Sequence, residues 1–230
     1  MNKIIAIIPS RSGSKSIKDK NLKKIKGKSL LQRAVEFALS LDKVEKVIVS
    51  TDSLKYQKLA LSYGAECPFL RPKNISGDYS LDVDVFMHCL NWLKNNERYS
   101  PDIVINLRPT YPFRKKKDFN LALKKIIKNK NIESIKSVCK IPFPLEKTWL
   151  INKNKYLLNS FYKNNSKELW NMPRQKLPNY YIQNGNIDIV RSEIIMKKRK
   201  MSGTKIYGIL QRHFFDIDNL DDLIKFKNFK

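Results

Sequence analysis

The sequence predicts an α/β fold, a parallel sheet covered by helices on both faces. Continuous apolar runs such as Ile4–Ile8 suit strands buried on both sides;. Those runs alternate with segments of helical periodicity, and the alternation repeats four times;. A length of 230 residues with 42% hydrophobic content is enough to bury a core of that kind, and it suits a single domain over residues 1–230;.

In chain order, Ile4–Ile8 is the first strand, ended by Pro9. Residues 10–28 form a long polar, basic loop. Leu30, Leu31, Ala34, Phe37, Ala38 and Leu41 recur at helical spacing, with Ser29 placed to cap them. Val44–Ser50 is the second strand; a helix follows to about Tyr63, where Gly64 can end it. Ala65–Leu70 reads as a short strand and Arg71–Ser80 as a second polar loop. Asp82 begins a helix with Val83, Phe86, Leu90 and Leu93 on one face. Asp102–Leu107 is another buried strand and opens into Arg108–Arg114. A basic helix over about 117–130 carries Phe119, Ala122, Ile126 and Ile127 inward, and Glu133–Val138 is a further strand.

Residues from about 140 to 177 break the alternation with Pro142, Pro144, Trp149, Trp170 and Pro173 among many Asn and Lys. This is read as an excursion suited to a subunit interface. The chain returns with strand-like Tyr180–Ile182, Asn186–Val190 and Lys205–Ile209, and closes on Phe214–Asp222 and a last helix. Ligands of open α/β sheets bind beyond the carboxyl ends of the strands. Pro9–Lys20, Thr51–Asp52 and Arg108–Arg114 are therefore expected to converge on one site.

The formal charge of +25 raises the possibility of a nucleic-acid binder;. The basic residues are mostly Lys and are spread over the whole chain, whereas a dedicated patch concentrates Arg with aromatic residues. The charge fits polyphosphates and acidic sugars better, so nucleic-acid binding stands only as the alternative of another class. Cys67, Cys89 and Cys139 have no metal spacing and suit a reducing compartment. The apolar run after Met1 is too short for a signal peptide, and no stretch is long enough to span a membrane, so a cytoplasmic protein without membrane attachment is expected.

The run Pro9-Ser-Arg-Ser-Gly-Ser-Lys-Ser-Ile-Lys-Asp-Lys-Asn21 has neither Walker A nor dinucleotide-fingerprint spacing. Its chemistry is nonetheless that of an anion loop. Ser12, Gly13 and Ser14 are small enough to expose successive N–H groups, and Arg11, Lys15 and Lys20 supply charge for a triphosphate. Asp216 and Asp218 lie on one side of an extended segment, with Ile217 buried between them. Hard carboxylate oxygens suit Mg²⁺, although spacing alone equally permits Asp218 as a helix cap. Asp221 and Asp222 read as first-turn helix acids. His88 and His213 have no Cys or Ser partner at a telling spacing, and Trp92, Trp149 and Trp170 read as core or interface anchors.

The run IIPSRSGSKSIKDKN resembles the N-terminal signature of the acylneuraminate cytidylyltransferases, approximately PARxGSKGIPxKN. Pro9, Arg11, Gly13, Ser14, Lys15, Ile17, Lys20 and Asn21 match; Ser16 stands where the family usually has Gly. Val49–Asp52, Phe69–Pro72 with Asp78, Leu107–Arg114, Pro173–Gln175, Gln183–Gly185 and Phe215–Asp218 have counterparts in the same order.

The resemblance implies a Rossmann-like three-layer α/β/α sandwich of the nucleotide-diphospho-sugar transferase type, with the 140–177 excursion as a dimer arm. It implies CMP transfer from CTP to a nonulosonic acid, such as sialic, legionaminic or pseudaminic acid, by a Mg²⁺-dependent homodimer. CMP-Kdo synthesis is the nearest alternative. Asn21, Arg71 and Ser80 are expected near the cytidine, with Asp78 shaping that loop. Arg11, Lys20 and Asp216 are the expected catalytic residues. Arg108, Thr110, Arg114, Arg174, Gln183 and Asn184 are expected around the acidic nine-carbon sugar. Arg108 and Tyr111 replace the Gln and Ser common in relatives, and Asp188 reads as a polar contact or a solvent-facing strand residue.

Overall fold

The computed structural model describes residues 2–159, 168–212 and 215–227. The chain runs β1 (Ile4–Pro9), a small hairpin β2 (Lys24–Ile25) and β3 (Lys28–Ser29), α1 (Leu30–Leu39), β4 (Lys46–Ser50) and α2 (Leu54–Ser62). It continues through α3 (Asp82–Glu97), β5 (Ile103–Asn106), α4 (Lys116–Lys128), β6 (Ser134–Lys140) and a second hairpin, β7 (Trp149–Ile151) with β8 (Leu157–Asn159). The last elements are β9 (Tyr181–Arg191), α5 (Ser192–Lys198), β10 (Ile206–Gln211) and α6 (Leu220–Lys227).

Six strands form one sheet in the order β10-β6-β9-β5-β1-β4. Alternate residues of each central strand feed two cores. Ile4, Ala6 and Ile8 pack with α1 and α4, whereas Ile5 and Ile7 pack with α3 and α5. That double burial is why the strand runs are apolar without alternation. The result is three layers, as expected. Ser29 caps α1 by accepting from the Gln32 N–H at 3.0 Å. Gly64, at φ +90°, follows α2 in a conformation that favours glycine;.

Several details depart from the sequence expectation. The sheet is mixed, because β9 runs antiparallel to both β5 and β6. Its direction follows from the excursion, which leaves the carboxyl end of β6 and returns beside it, where the Ile141 N–H donates to the Tyr180 carbonyl at 2.9 Å. A strand returning from where its neighbour ended needs no crossover and must run the other way. The Tyr180–Ile182 and Asn186–Val190 segments merge into this one eleven-residue strand, which starts at Tyr181. The Ala65–Leu70 strand reduces to a single bridge between Ile48 and Glu66. Pro68 has no N–H with which to extend the ladder. The 10–28 loop contains the β2–β3 hairpin, turned at Lys26 and Gly27 with φ 47° and 80°;. The seven-residue α5 had no clear signal in the sequence.

Asp188 does not face solvent. It is buried in an ion pair with Lys136, and Asn106 donates to its other oxygen at 3.0 Å. Trp92 packs against Phe69, and Trp149 pairs with Trp170 at 5.0 Å between ring centroids. His88 stacks edge-on against Phe69; His213 lies outside the described residues. No helix among the described residues is long and apolar enough to cross a membrane.

Candidate active site

Beyond the carboxyl ends of β1, β4 and β5 lies a cavity of about 550 Å³. Its walls come from the loop after β1, the Arg71–Ser80 loop and the segment after β5. Arg11, Ser14, Lys15, Lys20, Asn21, Arg71, Asp78, Ser80, Arg108 and Thr110 all line it. Of the residues expected at the nucleotide, Ser12 and Gly13 do not. Ser12 is held from behind, because its N–H and Oγ donate to the two carboxylate oxygens of Asp52 at 2.8 and 3.0 Å. The Ser14 N–H turns back to the Ser12 carbonyl at 3.0 Å. Ser16 lines the cavity without a positive φ, so the replacement of the family's glycine introduces no left-handed strain;.

A small apolar core sets the loop against the end of the chain. Ile17 of the loop, Ile25 of β2, Ile217, and Leu223 and Phe226 of α6 pack together. Ile217 is fully buried between Asp216 and Asp218, as the alternation predicts. The segment is also fixed through its backbone. The Ile217 N–H donates to the Thr110 carbonyl, and the Lys20 ammonium donates to the Ile217 carbonyl, each at 3.0 Å. The cap of α6 is Asn219, whose side chain accepts from the Asp222 N–H at 2.9 Å. The Asp222 carboxylate accepts in return from the N–H groups of Asp218 and Asn219. This reciprocal capping box leaves the Asp218 carboxylate available, 3.5 Å from the Lys20 ammonium;.

Charge in the cavity is organised around two carboxylate groupings. Asp78 accepts from Arg11 at 2.7 Å and is paired with Lys15 at 2.6 Å. Contacts with Lys15 and then Arg11 hold its carboxyl below the usual range. At the other end, Arg108 pairs with Asp82 at 2.7 Å. Burial alone would lower the Arg108 pKa, but Asp82, with Asp188 and Asp216 beyond it, raises it. Burial, joined by Asp218, raises the Asp216 pKa; Thr110, Arg108 and Lys20 oppose that. Asp216 Oδ1 is buried and has no hydrogen-bond partner among the described residues. Gly185 of β9, at φ +73°, faces this group, and a Cβ there would lie 3.7 Å from Asp216 Oδ2 and 3.9 Å from Arg108 Nη1.

Four residues expected around the sugar do not line the cavity of this chain. Arg114 turns inward, donating to the Arg108 carbonyl at 2.6 Å beside the Phe37 and Tyr111 rings. Burial pushes its pKa down to about 9. Asn184 is buried at the irregular part of β9, bonded to Ser137 at 2.5 Å and Gln211 at 2.9 Å. Gln183 is exposed. Arg174 lies in the excursion and donates to the Pro142 carbonyl at 2.5 Å. The Thr51–Asp52 loop reaches the cavity only indirectly, with Asp52 holding Ser12 and the end of β4 holding Arg71. The Arg71 guanidinium donates to the Ser50 hydroxyl at 3.1 Å and to the Ser50 carbonyl. Asp82 and Asp52 carry no local signal in the sequence, because their partners Arg108 and Ser12 are distant along the chain.

A cytidylyltransferase family model matches residues 5–215. A pseudaminic acid cytidylyltransferase of Campylobacter jejuni subsp. jejuni serotype O:2 is 32% identical over 171 residues, covering 73% of this chain and 72% of that protein. An N-acylneuraminate cytidylyltransferase of Escherichia coli O18:K1:H7 is 42% identical over 112 residues, 49% of this chain and 25% of that protein. Among solved structures, a CMP:2-keto-3-deoxy-manno-octonic acid synthetase complexed with CTP aligns with a TM-score of 0.69 at 18% identity. That alignment covers 98% of this chain and 97% of the other, and the likeness is one of fold.

Proposed function

The chain belongs to the cytidylyltransferase family, and we propose that it transfers CMP from CTP to the anomeric hydroxyl of a nonulosonic acid, releasing pyrophosphate. The sugar oxygen bonds to the α-phosphorus, the bridge to the β-phosphate breaks, and the hydroxyl proton is released. The observation that carries this reading is the meeting of Arg11, Lys15 and Lys20 on one cavity whose far end, through Lys20 and Thr110, holds Asp216 and Asp218. Such a transfer needs positioning and charge neutralisation more than covalent catalysis. In this reading, Arg11, Lys15 and Lys20 hold the triphosphate and offset the charge growing on the departing pyrophosphate. Asn21, Arg71 and Ser80 surround the cytidine, and Arg108 and Thr110 face the sugar acid.

Asp216 and Asp218 fit a Mg²⁺ ion. The unpartnered Asp216 Oδ1 is the buried oxygen such an ion would satisfy, and Asp218 would supply the second hard ligand;. When bound, the ion would neutralise phosphate charge.

A homodimer is part of the proposal. The excursion leaves Phe143, Leu150, Ile151, Tyr156 and Leu157 exposed, an apolar surface suited to a second copy;. Sedimentation is expected to show a dimer that Leu150→Asp/Ile151→Asp converts to monomer; an unchanged dimer places the contact elsewhere.

Incubation with CTP, Mg²⁺ and separate sugar acids tests the function. A CMP-sugar is expected with pseudaminic, legionaminic or N-acetylneuraminic acid. Product with Kdo alone would move the assignment to the eight-carbon acid. Tight duplex binding at physiological salt without turnover would favour a nucleic-acid role.

The clamp on Asp78 leads to a second prediction. A carboxylate there satisfies two cations that this reading assigns to the triphosphate, so CTP must compete with it. Asp78→Asn is expected to tighten CTP binding by roughly two- to tenfold, as measured by calorimetry. Weaker binding would mean that Asp78 supports the nucleotide directly.

A further inference from the structure

We propose that Asp52 is a positioning residue for the triphosphate, fixing the phosphate loop from behind so that its cations face the cavity. The inference rests on the functional reading above, and it concerns a residue outside the cavity lining. Both oxygens of Asp52 are used on a single loop residue, one by the Ser12 N–H and one by the Ser12 hydroxyl. A freely exposed anion loop would keep that N–H for its ligand. Here Ser12 is an anchor, and Gly13, whose missing side chain would meet nothing within 4 Å, is the open point of the turn.

The anchor has a fixed base. β1 and β4 pair in parallel up to Pro9 and Ser50, so the two strand ends that carry Ser12 and Asp52 are already in register. The far end of the loop is tied to the same region. Tyr56, buried in the first turn of α2, donates its hydroxyl to Asp19 at 3.1 Å. Asp19, in the left-handed conformation, directly precedes Lys20. A third tie closes the loop on itself, from the Asn21 amide to the Arg11 carbonyl at 3.1 Å. The junction of β4 and α2 thus holds the loop next to Arg11 and next to Lys20, and sets how those two cations stand relative to each other.

Equilibrium binding tests this without requiring turnover. Tripolyphosphate, CTP and cytidine would be titrated into wild type, Asp52→Ala, Asp52→Asn and Ser12→Ala, with thermal unfolding followed in parallel. Asp52→Ala is expected to weaken tripolyphosphate and CTP about tenfold or more while cytidine binding stays within about twofold. Asp52→Asn keeps an acceptor for the Ser12 N–H and is expected to recover most of that loss. Ser12→Ala removes only the hydroxyl contact and is expected to cost about two- to fivefold. If Asp52→Ala does not fold, the last two variants decide.

Unchanged tripolyphosphate affinity in Asp52→Ala would overturn the proposal. So would equal losses for cytidine and tripolyphosphate, unchanged affinity in Ser12→Ala, or no tripolyphosphate binding by the wild type. A wild type that binds CTP but never transfers CMP would instead overturn the functional reading and leave the binding comparison to judge Asp52.

Discussion

Asp216→Ala is expected to cut turnover by at least roughly a hundredfold while CTP affinity stays within about threefold of wild type. The separation follows from where the side chain sits. Asp216 does not line the cavity itself; it lies behind Thr110 and beside Arg108, with one buried oxygen lacking a hydrogen-bond partner. The substitution removes no hydrogen bond from the loop cations or from the residues assigned to the cytidine, so ground-state binding has little to lose. On the proposed Mg²⁺ assignment, losing Asp216 would remove charge neutralisation needed as the pyrophosphate departs, worth several kcal/mol. Steady-state kinetics with Mg²⁺ titrated over a wide range checks it. The residual activity of the variant is expected to need far more Mg²⁺ for saturation. Wild-type turnover with wild-type Mg²⁺ dependence would refute the metal assignment.

The second large effect is on stability. Lys136→Met is expected to cost about 3–5 kcal/mol, because it leaves the buried Asp188 carboxylate without its cation. Lys136 and Asp188 are 7% and 1% exposed, and they face each other across β6 and β9. The Lys136 ammonium also donates to the Met201 carbonyl at 3.3 Å, and Asn106, with the Arg108 charge acting at longer range, cannot replace a directly paired cation at a buried carboxylate;. Thermal unfolding is expected to fall by roughly 6–20 °C for a chain of this size. Removing both charges in Lys136→Met/Asp188→Leu is expected to recover most of the loss, since a buried pair contributes little net stability over an apolar replacement. A single variant within about 1 kcal/mol of wild type would contradict the account.

The fold was legible where local chemistry decides it. The run of Ile4–Ile8 could only be a doubly buried strand, Ser29 was a cap by its position, and alternation alone placed the buried Ile217 between two carboxylates. Strand direction was not legible in the same way. Periodicity shows that Asn186–Val190 is extended, but its antiparallel course depends on the excursion returning to the end of β6 from which it left. The short strand after Ala65 failed on one residue, Pro68.

The candidate site divides along similar lines. Arg11, Lys15, Lys20 and Arg108 come together because each follows a strand end. Arg114 and Asn184 look equally like ligands in sequence, yet one lies beside Phe37 and Tyr111 and the other holds the irregular part of β9. Such directions are set by neighbours far along the chain. The Asn219–Asp222 capping box was present in the sequence as a three-residue spacing, and reading it would have shown that Asp218 is not the cap of α6. Asp52 is the harder case, since only the fold brings its carboxylate to Ser12.

The proposed reaction makes one bond, between the sugar's anomeric oxygen and the α-phosphorus of CTP. A nonulosonic acid labelled with ¹⁸O at the anomeric hydroxyl, mixed briefly with CTP, Mg²⁺ and the protein, follows that oxygen directly by ³¹P NMR. The predicted result is an isotope shift on the phosphorus of the CMP-sugar, with unlabelled pyrophosphate formed in equal amount. Label in the pyrophosphate, inorganic phosphate as the released product, or a CMP-sugar without the isotope shift would contradict it.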